Sequence, residues 1–105
     1  MPTQQQIERF TLAFHQVAMQ RLRNDPDLRR LALEVLDRWD AGSPSPSGLR
    51  YRQQWRQLLD GDVARLESTV CAQDEHAATL RSVSPLGFLL SEPERLRIRR
   101  EAMAA

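Results

Sequence analysis

The sequence predicts an all-α protein of five to six short helices, and three observations carry that reading. Apolar residues recur three and four positions apart through most of the chain, the spacing of a single helix face. Capping residues and prolines stand where those runs begin and end. No stretch alternates apolar with polar residues as a half-buried strand would, and no repeat of solenoid period occurs.

The first helix is expected from a Thr3 cap to about Arg23. Ile7, Phe10, Phe14, Val17 and Arg21 follow the three-four spacing. Leu12, Ala18, Met19 and Leu22 widen the stripe, so this helix should be contacted from two sides. Asn24-Asp25-Pro26 ends it and starts the next, with Asp25 as cap and Pro26 at a first-turn position where a missing amide costs nothing. The second helix should run from Pro26 to about Asp40. Leu28, Leu31, Ala32, Val35, Leu36 and Trp39 lie on one face of it, and Arg29, Arg30, Glu34, Asp37 and Arg38 lie mostly opposite. The connection is so short that residues 1–40 read as an antiparallel helical hairpin or a sharp corner.

Residues 41–48, Ala-Gly-Ser-Pro-Ser-Pro-Ser-Gly, form the one low-complexity piece and read as an extended linker. Residues 49–105 form a second helical half within the same single domain, the count that 105 residues favour. Its first helix should cover Leu49 to Leu59, with Tyr51, Trp55, Leu58 and Leu59 apolar. Asp60-Gly61-Asp62 breaks it, and Asp62 can cap the next helix, whose buried stripe includes Val63, Leu66 and Val70. A bend at Gln73-Asp74-Glu75 precedes a short helix carrying Ala77, Leu80 and Val83, which Ser84-Pro85 ends. Ser91-Glu92-Pro93-Glu94 is a helix start in which Ser91 caps and Glu94 completes a capping box. The last helix carries Leu96, Ile98 and Met103 among Arg95, Arg97, Arg99 and Arg100, a thin apolar stripe.

Composition excludes more than it identifies. With 41% hydrophobic and 28% charged residues the chain lies outside the disorder signature. A net charge of +1 supplies no bulk attraction to nucleic acid or anionic lipid. All fifteen basic residues are arginine, a usage that a GC-rich genome explains, so no lysine amine is available for Schiff-base chemistry. The single cysteine, Cys71, cannot form an intramolecular disulfide. The N-terminal Met-Pro-Thr-Gln-Gln-Gln carries no basic region followed by an apolar one, and no window approaches a membrane span. A cytoplasmic location without membrane contact is therefore expected.

Catalytic machinery is not visible in the residue pattern. His15 shares a face with Glu8 and Thr11, which suits a solvated or capping contact. Cys71 and His76 are five positions apart and do not share a helical face, so neither a metal site nor a nucleophile pair is expected, and Cys71 reads as a small apolar side chain beside Val70. No glycine-rich phosphate loop occurs, and no cofactor is expected. Asp60, Asp62, Asp74 and Glu75 flank turns, where capping accounts for them. Arg50, Arg52 and Arg56 interleave with Tyr51 and Trp55, a pattern that can place arginine on phosphates and aromatics on bases. A helix with one aromatic core face and one charged solvent face accounts for it more simply. The second helix resembles a recognition helix only in its turn, because its outer face is mixed in sign.

The segment that stands out is Ser84-Pro85-Leu86-Gly87-Phe88-Leu89-Leu90-Ser91, an apolar run between Pro85 and Pro93. Its large side chains must bury themselves in this domain or in a partner. Three blocks, QRLRNDPDLRRLALEVLDRW, YRQQWRQLLDGDVARL and LRSVSPLGFLLSEPERLRIRRE, resemble a family of small bacterial helical proteins encoded beside toxin-like genes. The last block is similar to family endings of the type LRQSSPFAGVLSPRERW. It departs from that pattern at Leu86-Gly87-Phe88-Leu89, where an aromatic followed by small residues is usual, and the departure would bear on partner choice. The resemblance implies an antitoxin, a protein that neutralises a cognate toxin enzyme by direct contact and has no catalysis of its own.

An apolar anchor with an arginine rim is what such contact needs. The expected partner-binding residues are Leu86, Phe88, Leu89 and Leu90 with Arg95, Arg97 and Arg99. A core role for the anchor, folded back between helices, stays open beside this. Two alternatives remain: a small nucleic-acid-binding regulator using Arg50, Arg52, Arg56, Arg99 and Arg100, and a phage or mobile-element inhibitor of a host defence complex. Homodimerisation is left open.

Overall fold

The computed structural model describes residues 1–42 and 46–104. The chain is all-α, as the periodicity predicts. It forms α1 (Gln4–Asn24), α2 (Leu28–Ala41), α3 (Pro46–Asp60), α4 (Val63–Val70), α5 (Glu75–Ser82) and α6 (Glu92–Met103), with a 3₁₀ turn at Gly87–Leu89 ahead of α6.

Local side-chain chemistry sets three of the helix starts. At α1 the Thr3 hydroxyl accepts from the Gln6 amide at 3.1 Å while the Gln6 side chain accepts from the Thr3 amide at 2.9 Å. That reciprocal pair satisfies two otherwise orphaned donors. At α6 the Ser91 hydroxyl accepts from the Glu94 amide at 3.4 Å, and the Glu94 carboxylate accepts from the Ser91 amide at 2.9 Å, the expected capping box. The Asp74 carboxylate accepts from the Ala77 amide at 2.7 Å and so starts α5.

Two boundaries differ from expectation. Helix α2 begins at Leu28 rather than Pro26. The Asp25 carboxylate accepts from the Asp27 amide at 3.2 Å, and the Asp25, Pro26 and Asp27 carbonyls each accept from the third residue on, at 3.1 Å. Asp25 thus builds a tight turn instead of an N-cap. Helix α3 begins at Pro46 rather than Leu49. A proline in the first turn needs no amide partner, so Pro46-Ser47-Gly48 are helical and not part of an extended linker. Residues 43–45 of that expected linker lie outside the described residues.

Two antiparallel helix pairs organise the molecule. Helix α1 packs most broadly against α6, and their direction follows from two contacts: Arg9 donates to the Ala102 carbonyl at 3.0 Å, and Arg21 reaches Glu94. Helix α2 packs mainly against α3 and only lightly against α1, so its principal partner is not its neighbour in an N-terminal hairpin. Arg29 near the start of α2 donates to the Gly61 carbonyl past the end of α3 at 2.8 Å, while Asp40 near the end of α2 meets Arg52 and Arg56. Helices α4 and α5 bridge the two pairs.

One apolar cluster joins all of it. Met19 and Leu22 from α1, Leu36 from α2, Trp55 and Leu59 from α3, Leu66 and Val70 from α4, Leu80 from α5 and Ile98 from α6 all contribute. Each such side chain adds about 2 kcal/mol by leaving water. Trp55 has no exposed surface, and its indole N–H donates to the Leu80 carbonyl at 3.0 Å, so its one polar atom is satisfied inside the core.

Candidate partner-binding face

The connector between α5 and α6 is mostly interior. Leu86 is fully buried, and Leu89 and Leu90 keep 8% and 3% of their surface. All three belong to the core cluster. This corrects the expectation that Leu86, Phe88, Leu89 and Leu90 form one docking anchor. The 3₁₀ turn has three residues per turn, so positions 86 and 89 eclipse on the inward side and position 88 cannot join them. Phe88 alone stays exposed, at 41%.

Polar contacts clamp this connector to α1. Arg21 donates to the Leu89 carbonyl at 2.6 Å and forms a two-pronged ion pair with Glu94. The Arg21 guanidinium, with the Ser91 amide, holds the Glu94 carboxyl at about 2, well below the usual range. Arg95 donates to the Gly87 carbonyl, and its guanidinium lies 5.8 Å from the centre of the Phe14 ring. Arg95 is therefore committed to the fold by a hydrogen bond and a cation–π contact, which corrects its placement in a free arginine rim.

The outer face of α6 is different. Ile98 and Ala102 turn inward and are buried, whereas Leu96 is 51% exposed and Arg97, Arg99 and Arg100 are exposed. Among the described residues none of these three arginines has an ion pair or hydrogen bond. Arg99 also borders a surface depression of about 280 Å³ shared with Met1, Pro2, Gln6 and Met103. Phe88, Leu96, Arg97, Arg99 and Arg100 thus form a short stretch of chain with apolar and cationic groups in solvent.

The residues for nucleic-acid contact are separated by the fold. Arg50 is exposed, but Arg52 keeps only 8% of its surface and pairs with Asp40. Arg56 pairs with Asp37 at 2.8 Å and Asp40 at 2.6 Å. The two arginines depress the Asp40 carboxyl pKa, Arg56 most. Trp55 is fully buried, so its ring presents no face for base stacking, and Tyr51 is partly buried against the core. Arg52 and Arg56 are structural ion pairs that lock α2 to α3, a correction to the expected cluster.

Three features were not expected. His15 is not solvated; it keeps 3% of its surface beside Phe14 and Trp55. Its Nδ1 lies 2.7 Å from the Thr11 carbonyl, and its Nε2 is buried without a partner. Arg81, also buried, donates to the Val70 and Ala72 carbonyls at 2.7 and 2.8 Å and so terminates α4. No local sequence signal marks that role, because it joins Arg81 to residues eleven and nine positions earlier through a turn. On α2, Leu31 and Trp39 are 38% and 42% exposed, where the apolar periodicity implied burial.

A depression of about 480 Å³ between α1 and the start of α5 is lined by Glu8, Arg9, Asp74, Glu75 and Arg81 among others. Its charges are mixed, and it holds no hydroxyl, thiol or imidazole. Cys71 is half-buried against the core, and burial raises its thiol pKa, which keeps it protonated. Among the described residues no three His, Cys, Asp or Glu side chains converge as a metal ion would require. No helix is long and apolar enough to cross a membrane. No protein-family model, curated protein or solved structure matches this chain.

Proposed function

We propose that this chain is a protein-binding module of the antitoxin type, which neutralises a toxin enzyme by covering it. The observation that carries the reading is the outer face of α6 with the adjoining turn. Phe88 on that turn and Leu96 on α6 are exposed, as are Arg97, Arg99 and Arg100, whose side chains form no ion pair among the described residues. An apolar centre with an arginine rim suits a partner surface that is apolar at its middle and acidic at its edge. The chain brings no catalytic step of its own to this role, because occlusion needs only complementary surface. The same surface would serve an inhibitor of a host defence complex.

The test is purification from the native host with the stoichiometry of what co-elutes. A near-stoichiometric enzyme, toxic when expressed alone, is the expected result. Its retention should fall by about tenfold or more with Leu96→Asp, and comparably with Arg97→Glu plus Arg100→Glu. Recovery of the protein without any enzyme would sink the reading.

One observation favours a second reading. Among the described residues Arg97, Arg99 and Arg100 form no ion pair, and Arg50 is exposed, so phosphate contacts are available even though the Trp55 ring is not. A regulator that binds duplex through phosphates alone would show affinity falling steeply with salt and little sequence preference. Binding to nucleic acid without that salt slope would count against it.

A further inference from the structure

Helix α2 carries an apolar ridge that its own domain covers only in part. Leu31, Val35 and Trp39 are spaced four apart and form one row along the helix. Leu31 and Trp39 are 38% and 42% exposed, and Val35 is only partly buried. The core-facing side of α2 is a different one: Ala32 and Leu36 enter the cluster, Arg29 bonds the end of α3, and Asp40 holds Arg52 and Arg56. The partly covered row therefore lies beside the α2–α3 contact and not within it.

We infer that this row is a self-association face, on which α2 of a second copy packs antiparallel about a two-fold axis near Val35. Rows of residues four apart interdigitate with like rows in the commonest mode of helix packing. A two-fold interface requires a surface that complements itself, and the charges flanking the row do so. Glu34 and Arg38 lie on the solvent flank of the ridge, one on each side of Val35 along the helix axis. In the antiparallel arrangement Leu31 meets Trp39 of the other copy, Val35 meets its equivalent, and Glu34 approaches Arg38 twice over. Both groups are available. The Arg38 side chain has no ion pair or hydrogen bond among the described residues, and the Glu34 side chain has only a long, exposed contact with Arg30 at 3.5 Å.

The alternation of sign also argues for this occupant over a foreign one. A strongly acidic partner would meet Asp27 and Glu34, and a strongly basic one would meet Arg30 and Arg38. The seam from Leu31 to Trp39 covers a little over two helical turns and is small by the standard of stable interfaces, so the dimer should dissociate on dilution. It is distinct from the outer face of α6 and does not depend on the function proposed for that face.

The experiment is sedimentation equilibrium of the full chain over a wide range of concentration, on the parent protein and three variants. The parent should follow a monomer–dimer equilibrium. Val35→Asp should be monomeric while its circular dichroism stays that of the parent, because Val35 is not a core residue. Glu34→Arg and Arg38→Glu each create like charges across the two-fold axis, and each should weaken dimerisation about tenfold or more. Mixed in equal amounts, these two variants regain opposite charges at both contacts and should form a heterodimer near the parental strength. A parent that stays monomeric at every concentration overturns the inference and leaves the ridge to another protein. A dimer that persists in Val35→Asp, or charge variants that fail to complement each other, overturns it equally.

Discussion

His15 shows how much a single residue's behaviour depends on what packs over it. Its Nδ1 sits 2.7 Å from the Thr11 carbonyl, so Nδ1 carries the proton and Nε2 is a bare buried lone pair. Burial is the main reason its pKa falls from 6.5 to about 4; the bond to Thr11 opposes the fall, and the Arg81 charge adds to it. The unfolded chain therefore binds a proton between pH 6.5 and 4 that the folded chain refuses. Stability is lost as pH falls through that window, by as much as about 3 kcal/mol, and the loss is complete below it. His15→Leu should flatten the curve of unfolding free energy against pH between 6.5 and 4, checked by urea titrations at several pH values. The sequence placed His15 beside Thr11 on one helix turn, and that neighbour is its partner. The burial was not legible, because Trp55 and Arg81 arrive from elsewhere in the chain. Trp55 is the plainer case. Trp55→Ala should cost about 3–5 kcal/mol, read as a lower urea midpoint, because it opens a cavity and removes one of the two donors to the Leu80 carbonyl, leaving only the Val83 amide.

At the scale of elements, helix starts were read more securely than helix partners. Ser91 and Glu94 were assigned a capping box from spacing alone, and both of its bonds are present. Ser91→Ala should lower stability by about 1 kcal/mol, measured by thermal or urea unfolding. Glu94 does a second task that spacing could not reveal, since Arg21 lies 73 positions earlier. Its carboxyl pKa is depressed from 4.5 to about 2, chiefly by Arg21. The stability this provides is present above pH 4.5 and is lost as pH falls toward 2. Glu94→Gln should abolish that part of the acid sensitivity while leaving the His15 part at higher pH intact. The α2 turn and the α3 start differ from the sequence expectation for a common reason. Aspartate and proline each suit two neighbouring roles, and only the backbone path selects between them.

For the molecule as a whole, α1 and α6 depend on each other although nearly seventy residues separate them. A chain ending at Leu90 would expose the inner face of α1 and leave Arg21 without Glu94. It should lose its cooperative thermal transition, which circular dichroism would show as a broad, low-temperature melt. Leu90→Asp should do similar damage, since that side chain is core, whereas Phe88→Asp should leave the fold intact. The all-α class, most helix spans, the Thr3 cap, the Ser91–Glu94 capping box and the apolar residues from which the core is drawn are legible in the sequence. Those properties are local, set by spacings of three and four residues and by single side chains meeting nearby amides. Tertiary structure alone decided which apolar residues face inward. Each helix offers a wider apolar arc than one neighbour can cover, so the identity of that neighbour chooses the row that is buried. That choice put Leu86, Leu89 and Leu90 inside, turned Arg52, Arg56 and Arg95 to internal contacts, and left Leu96 and the α2 ridge in solvent.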